Sequence, residues 1–391
     1  MDSKLIEADC LIIGCGLSGS VIARFLAEEL DKRVVIWDRR NHIAGNMYDF
    51  KDSHGILVHK YGPHAFHTKK EYLYDYISRF GDWNPFYLTC LAKIDGIFTP
   101  SPFNFQTIDD FYFPEEAKEI KDHLLLAYPD RQRATILELI ENSDIVIQNF
   151  AKFLFEKDYR PYTAKQWGID PSKLDTSILK RVPIFFSYDR EYFDDPYQII
   201  PQESYTSIFH SILNHINIRV ELEVEALDYL SVSPGGNEML LNGNEIDIPI
   251  IYTGALDELF QGSGESLPYR SLLFDWKYEE IESFQDAPVV AYPQAEGFTR
   301  ITEYKKLPVQ LVHGTTYAIE YPVDYKVAEN EPYYPVLTEQ SQAEYAKYKS
   351  FAEKIRNFYF CGRLADYKYY NMDQTLERAL ELCQKLKSEI I

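Results

Sequence analysis

Three glycines in Gly14-Cys15-Gly16-Leu17-Ser18-Gly19 are spaced to hold a phosphate. Gly14 allows a tight turn, Gly16 lets a backbone approach a pyrophosphate, and Gly19 lets a helix pack close to a strand. A short apolar run, Cys10-Leu11-Ile12-Ile13, precedes them, and helical spacing of Val21, Ile22, Phe25 and Leu26 follows. The N-terminus of such a helix offers unpaired N–H groups and a partial positive charge to an anion. A second apolar run, Val34-Val35-Ile36-Trp37, ends at Asp38, whose carboxylate can accept hydrogen bonds from a ribose. Strand, glycine turn, helix, strand and acid, in that order, make the full dinucleotide fingerprint of a βαβ unit.

The basic, glycine-containing segment Arg39-Arg40-Asn41-His42-Ile43-Ala44-Gly45-Asn46 continues directly from Asp38. It resembles the stretch that wraps the diphosphate in many FAD proteins, so FAD is expected rather than NAD. Further on, His64 and His67 follow Pro63 in what reads as a site loop. A metal would need a third ligand and none is near in sequence, so no metal is expected. No catalytic dyad or nucleophile is evident. Tyrosine is abundant, at 31 residues, and aromatic rings with hydroxyl tips suit a sugar nucleotide: the ring stacks and the hydroxyl hydrogen-bonds.

These groups need a scaffold, and 391 residues can supply two or three domains with real cores. The net charge of −21 argues against non-specific nucleic-acid binding and against docking on anionic lipid. It does not forbid an anionic substrate, because a local arginine pair outvotes a distant field screened over about 8 Å. Five scattered cysteines with no C-x-x-C spacing point to a reducing cytoplasm, and the apolar start is too short and too glycine-rich for a signal peptide or a membrane span.

Along the chain, 69–80 reads as a helix, 86–100 as strand, turn and strand, and Pro114 opens another helix. Helical periodicity continues over 134–155. Residues 158–200 are dense in aromatics, proline and arginine, and few regular elements fit there. A short helix at 206–215, strands at 218–224 and 249–254, several strands over 269–321, a strand at 357–363 and a helix over 373–388 complete the reading. Rossmann-like pieces at both ends imply an α/β fold with a discontinuous FAD-binding domain (1–83, 202–262 and 352–391). A helical insert (105–160) and a mainly antiparallel β-sheet substrate domain (84–104, 161–201 and 263–351) make up the rest.

Eight segments in order together resemble the flavin-dependent UDP-galactopyranose mutases of bacteria. They are Gly14 to Gly19 with Asp38, the 41–46 segment, the 61–68 histidine loop, Tyr162-Thr163-Ala164-Lys165-Gln166-Trp167-Gly168, and Leu179-Lys180-Arg181-Val182-Pro183. The others are Thr299-Arg300-Ile301-Thr302-Glu303, Pro332-Tyr333-Tyr334-Pro335 and the run from Gly362 to Met372. The resemblance implies interconversion of UDP-galactopyranose and UDP-galactofuranose without net redox change. The flavin N5 of reduced FAD attacks the anomeric carbon, and UDP leaves and returns. It implies Arg300 and Arg181 as the diphosphate clamp and, with His67, the catalytic set. Tyr192, Tyr334 and Tyr369 would donate hydroxyls to the phosphates, Tyr162 would stack on the base, and Thr163, Trp167 and Asn371 would border the sugar. Gly14, Gly16, Gly19, Asp38, Arg39, Gly45, Asn46, His64, Gly362, Arg363 and Met372 would hold FAD. A cellular reductant such as NAD(P)H, a homodimer and a cytoplasmic place go with it, as does a role in cell-surface glycan synthesis.

The sequence departs from that pattern at Leu88, where an asparagine is common, and at Asn371, where an aspartate is. Asp158 and Tyr159 stand where residues packing on uridine are usual, Ser204 replaces a glycine, and Ala44 replaces the first of two glycines. The same chemistry on UDP-N-acetylgalactosamine or dTDP-fucose is therefore the first alternative. An FAD oxidoreductase of amine-oxidase-like fold is the second, and it leaves a phosphate clamp without use. A nucleotide-sugar binder that has lost flavin is the third. The 107–157 region and the 159–181 loop are expected to close over the substrate.

Overall fold

The computed structural model describes residues 8–168, 182–260, 264–327 and 329–390. Strand β1 (Cys10–Ile13) is followed by helix α1 (Leu17–Leu30) and strand β2 (Val34–Asp38), as the fingerprint requires. Three later strands return to the same sheet: β3 (Ile218–Leu222), β4 (Ile250–Tyr252) and β5 (Phe358–Phe360). All pairs are parallel, in the order β3-β2-β1-β4-β5. That is a Rossmann-like arrangement, with β1 at the centre and the chain switching direction beside it. β1 and β2 are buried on both faces, which is why they read as unbroken apolar runs. The last helix, Met372–Ile390, packs along α1.

A seven-stranded sheet, antiparallel except for one pair, carries the rest of the site. Its longest members, Tyr269–Glu279 and Thr315–Asp324, pair over ten residues, and Arg300–Glu303 lies beside the second of them. Strands Cys90–Ile94 and Ile97–Ser101 form its other edge through a tight turn at Asp95 and Gly96. Not all of 84–104 and 161–201 joins this sheet. Tyr197–Pro201 pairs instead with Phe66–Thr68 and Trp83–Pro85, and Ile184–Phe185 pairs with Arg133–Ala134 in the helical region.

The helical region differs from its sequence reading in two ways. The run over 134–155 is two helices, Ile136–Ile140 and Ile145–Leu154. Asp144 breaks it by accepting from the Val146 N–H as an N-cap, and a Thr135–Glu138 capping box starts the first piece. The chain then continues as a single π turn, Phe155–Tyr159, into a helix Arg160–Trp167 where few regular elements were expected. Pro161 is tolerated because it sits in the first turn. Its sequence, Arg160-Pro161-Tyr162-Thr163-Ala164-Lys165-Gln166-Trp167, mixes polar and aromatic residues, and only Thr163 and Trp167 are buried, so no single apolar stripe marks it.

Candidate active site

The loops after β1, β4 and β5 converge at the carboxyl end of the parallel sheet, where a cavity of about 160 Å³ is lined by Gly16, Gly19, Thr253 and Gly362. The backbones there are in contact. A Cβ on Gly19 would lie 1.9 Å from the Gly14 carbonyl oxygen, and one on Gly45 would lie 2.8 Å from the Gly16 Cα. A Cβ on Gly16 would meet nothing closer than 3.8 Å, so the space over Gly16 opens into the cavity. No side chain caps the N-terminus of α1 at Gly16. These are the conditions under which a backbone can hold a pyrophosphate, and the residues present fit a dinucleotide such as FAD. Gly14, at φ +106°, donates its N–H to the Trp37 carbonyl and shapes the turn without lining the cavity.

Asp38 lies beneath the turn, where its carboxylate accepts from the Cys15 and Arg40 N–H groups at 2.7 and 2.8 Å. Arg39 points elsewhere. Its guanidinium pairs with Glu331 and Glu258 and lines a separate cavity of about 860 Å³. Asn46, His64, Arg363 and Met372 line the glycine cavity and also a second one of about 300 Å³.

This second cavity gathers most of the expected substrate residues: Tyr162, Thr163, Trp167, Tyr192, Arg300, Tyr334, Tyr369, Asn371 and His67. Arg181 lies outside the described residues. Arg300 projects from its strand toward the histidine loop, where Gly62 leaves room for its guanidinium. Its Nε donates to Glu320 at 2.7 Å, and Thr302 donates to the same carboxylate. Burial opposes the arginine's charge, but Glu320 outweighs it and holds the guanidinium well above its ordinary value. Tyr334 and Tyr369 stack at 5.4 Å with Trp167 edge-on to both, and Arg363 sits over both tyrosine rings. Burial and the neighbouring Tyr369 push the Tyr334 phenol up to about 12, so it stays a hydroxyl donor.

His64 hydrogen-bonds the Gly62 carbonyl through Nδ1 at 2.7 Å, which assigns the proton to that nitrogen. Burial, with Arg363 and Arg300 adding to it, pulls its imidazole down to about 4. His67 stacks on Phe193 and meets Asp195 through Nδ1 at 2.5 Å. Two groups were missed in the sequence. Glu320 gave no signal beyond an acid in an apolar strand. Lys165 donates to the carbonyls of Tyr292, Ala295 and Phe298 at 2.6 to 2.8 Å, tying the helix that bears Tyr162 and Trp167 to the loop before Arg300. Arg270 holds the end of that helix through the Gln166 and Lys165 carbonyls.

A family model described as UDP-galactopyranose mutase matches residues 157–369, and one described as an NAD(P)-binding Rossmann-like domain matches residues 12–80. A "Probable UDP-galactopyranose mutase" of Klebsiella pneumoniae is 35% identical over 97% of this chain and 95% of its own. A dTDP-fucopyranose mutase of Escherichia coli is 34% identical over 96% of this chain and 97% of its own. A crystal structure of reduced UDP-galactopyranose mutase superposes with a TM-score of 0.73 at 15% identity, covering 98% of this chain and 94% of that one, so the likeness there is one of fold. Among the described residues no helix is long and apolar enough to cross a membrane. The arginine, the tyrosines and the glycine cradle thus sit in a chain that matches a mutase along nearly its whole length, and the chain belongs to the UDP-galactopyranose mutase family, isomerases of nucleotide sugars.

Proposed function

We propose that this enzyme interconverts UDP-galactopyranose and UDP-galactofuranose on a reduced FAD held in the glycine cavity. The observation that carries the reading is the opening of that cavity onto a cleft containing Arg300 and a set of tyrosine rings. Reduced flavin would supply a nucleophilic nitrogen able to hold the sugar carbon while its ring reorganises, with electrons returned at the end. The protein's part is positional and electrostatic. As the anomeric C–O bond breaks, negative charge grows on the departing diphosphate. Arg300, kept charged by Glu320, faces that charge in a site of low dielectric. Arg181 is proposed as its partner, and Tyr192, Tyr334 and Tyr369 as hydroxyl donors to the same oxygens.

The remaining residues orient and exclude. Asn46, His64, Arg363 and Met372 stand where the two cavities meet, so the flavin ring and the sugar would meet among them. His64, neutral at pH 7, can accept a hydrogen bond there without adding charge. The helix Arg160–Trp167, with Thr163 and Trp167 buried, walls the cleft from solvent. A cytoplasmic reductant such as NAD(P)H would maintain the reduced state.

A second sugar is favoured by one feature. Leu88 is buried and lines the cleft together with Val289 and Ala291, which leaves an apolar wall. Such a wall suits a 6-deoxy sugar such as that of dTDP-fucopyranose. The test is a substrate panel. Dithionite-reduced enzyme is incubated with UDP-galactopyranose, UDP-N-acetylgalactosamine and dTDP-fucopyranose, and products are separated by chromatography. A furanose from UDP-galactopyranose at the highest kcat/KM is expected. A furanose only from another sugar replaces the substrate, and no product from any of the three overturns the mutase reading.

A further inference from the structure

Asp158 lines the substrate cleft and has no hydrogen bond or ion pair among the described residues. It belongs to the π turn Phe155–Tyr159, the single wide turn between the helices Ile145–Leu154 and Arg160–Trp167. Such a turn shifts the following residues around the helix axis, and here Asp158, Tyr159 and Tyr162 all line the same cleft. Lys165, on the helix that follows, has no ion pair with it, and its ammonium donates to three carbonyls. A carboxyl in a cleft that has no partner among the described residues carries a desolvation cost they do not offset, so a ligand group that satisfies it gains more than one that meets open solvent.

The rest follows from the nucleotide-sugar reading, on which this inference depends. The sugar must lie at the junction of the two cavities, where His64, Arg363 and Met372 line both. The diphosphate then lies beside Arg300, and the nucleoside occupies the remaining end. Asp158, Tyr159 and Tyr162 share one helical segment, which lines the second cavity and not the first. A diphosphate brings negative charge into the same low-dielectric space, which favours the neutral form of a nearby carboxyl. A neutral carboxyl is a hydrogen-bond donor, and the carbonyls of uracil and thymine are acceptors.

We propose that Asp158 recognises the nucleoside by donating a hydrogen bond from its protonated carboxyl to a carbonyl of a pyrimidine-2,4-dione base, so that ligand binding takes up one proton from solvent. Burial already pushes this carboxyl up to about 7, with Lys165 working against the shift, so the free enzyme is poised near half protonation at neutral pH. Charged or titratable groups lining the cleft include Tyr159 and Tyr162 on the same segment, Tyr61, Cys90, Tyr192 and Tyr333, and Arg300 and Tyr334 on the sheet, with Glu320 paired to the arginine; Arg181 lies outside the described residues. Arg363 and His64 also line the glycine cavity, and Tyr369 and His67 line the cleft. Burial raises the Tyr162 and Tyr334 phenols and lowers His64, which takes these three out of the neutral window. A variant at Asp158 separates its proton from those of the other groups in the cleft.

The experiment is calorimetric titration of oxidised, flavin-loaded enzyme with UDP-galactose from pH 6.5 to 8.5, in two buffers of different ionisation enthalpy. The sugar nucleotide's diphosphate diester and base do not titrate in that range. Wild type should take up about one proton at the alkaline end, and its Kd should rise about tenfold per pH unit above about 7. Asp158→Asn, whose amide still donates, should bind with Kd independent of pH. Absence of proton uptake by wild type overturns the proposal whether or not the variant folds, as does an unchanged pH slope in Asp158→Asn. Failure of UDP-galactose to bind wild type at any pH overturns the nucleotide-sugar reading beneath it, which is a distinguishable result.

Discussion

Glu320 is 1% exposed and serves Arg300 and Thr302. Truncating the arginine therefore removes a cation from the cleft and also strands a buried carboxylate. Arg300→Ala is expected to lower kcat by ~100-fold or more while flavin stays bound. The same change should cost about 3 kcal/mol of stability, read by denaturant titration. Wild-type turnover in this variant would remove Arg300 from the clamp. The buried histidines give a pH signature. Burial holds His59 well below its ordinary value and His64 near 4, whereas both titrate near 6.5 when unfolded. The unfolded chain therefore binds more protons as pH falls below about 6.5, and stability drops by about 1.4 kcal/mol per pH unit for each histidine until its folded pKa is reached. Replacing His59 with Phe should flatten that slope in denaturation series between pH 6.5 and 5; an unchanged slope would contradict the assignment. At this scale the sequence was most legible in which residues come together: Gly16, Gly19 and Gly362 line one cavity, and Arg300, Tyr334 and Tyr369 another. Arg39, after the acidic strand end, finds acids distant in sequence, Glu258 and Glu331, which local pattern does not show. Glu320 and Lys165 were invisible because their roles lie in three-dimensional partners far along the chain.

Two elements set the geometry. The crossing of the Gly14–Gly19 turn with the backbone at Gly45 leaves the space above Gly16 open, and a methyl group there meets no protein atom within 3.8 Å. Gly16→Ala should therefore fold with near wild-type stability and yet lose its flavin, measured as absorbance of the purified protein. Normal flavin content would show that no pyrophosphate approaches Gly16. The helix Arg160–Trp167 is docked by Lys165 and Arg270 rather than by an apolar stripe. Lys165→Met should raise KM several-fold more than it lowers kcat, since it releases Tyr162 and Trp167 without touching the diphosphate contacts. An equal effect on both parameters would point to a general loss of folding instead. If the same helix and residues 169–181, which lie outside the described residues, close over the ligand, hydrogen exchange across 158–181 should slow when UDP-galactose is added, and unchanged exchange would dismiss the lid. Periodicity found the helices with one clean apolar face, but not this one, nor the polar helix Glu339–Ala352. It also merged Ile136–Ile140 with Ile145–Leu154, because a cap such as Asp144 stops a helix without disturbing the apolar spacing around it.

At the scale of the whole molecule, a local fingerprint predicted a long-range topology. β1 and β2 are consecutive, but β3, β4 and β5 arrive from 218, 250 and 358, with the helical region and most of the seven-stranded sheet inserted between them. The return strands were legible because the one at 218 alternates, and those at 250 and 358 are short apolar runs followed closely by a glycine, Gly254 and Gly362. Which strands of the 84–104 and 161–201 segments join which sheet was not legible, since pairing partners more than a hundred residues apart leave no mark in local pattern. Each part lines a cavity: the turns at the end of the parallel sheet line the glycine cavity, and the antiparallel sheet, with Arg300 and Tyr334, and the helical region, with Asp158 and Tyr162, line the second. The central claim is that these parts act together as a mutase that works only when the cofactor is reduced. The most direct test is to incubate the flavin-loaded enzyme with UDP-galactofuranose, with and without dithionite, and to follow UDP-galactopyranose by chromatography. Conversion with dithionite and none without it is the predicted result. Equal conversion in both samples would contradict the flavin's role, and none from a yellow, reducible protein would contradict this substrate.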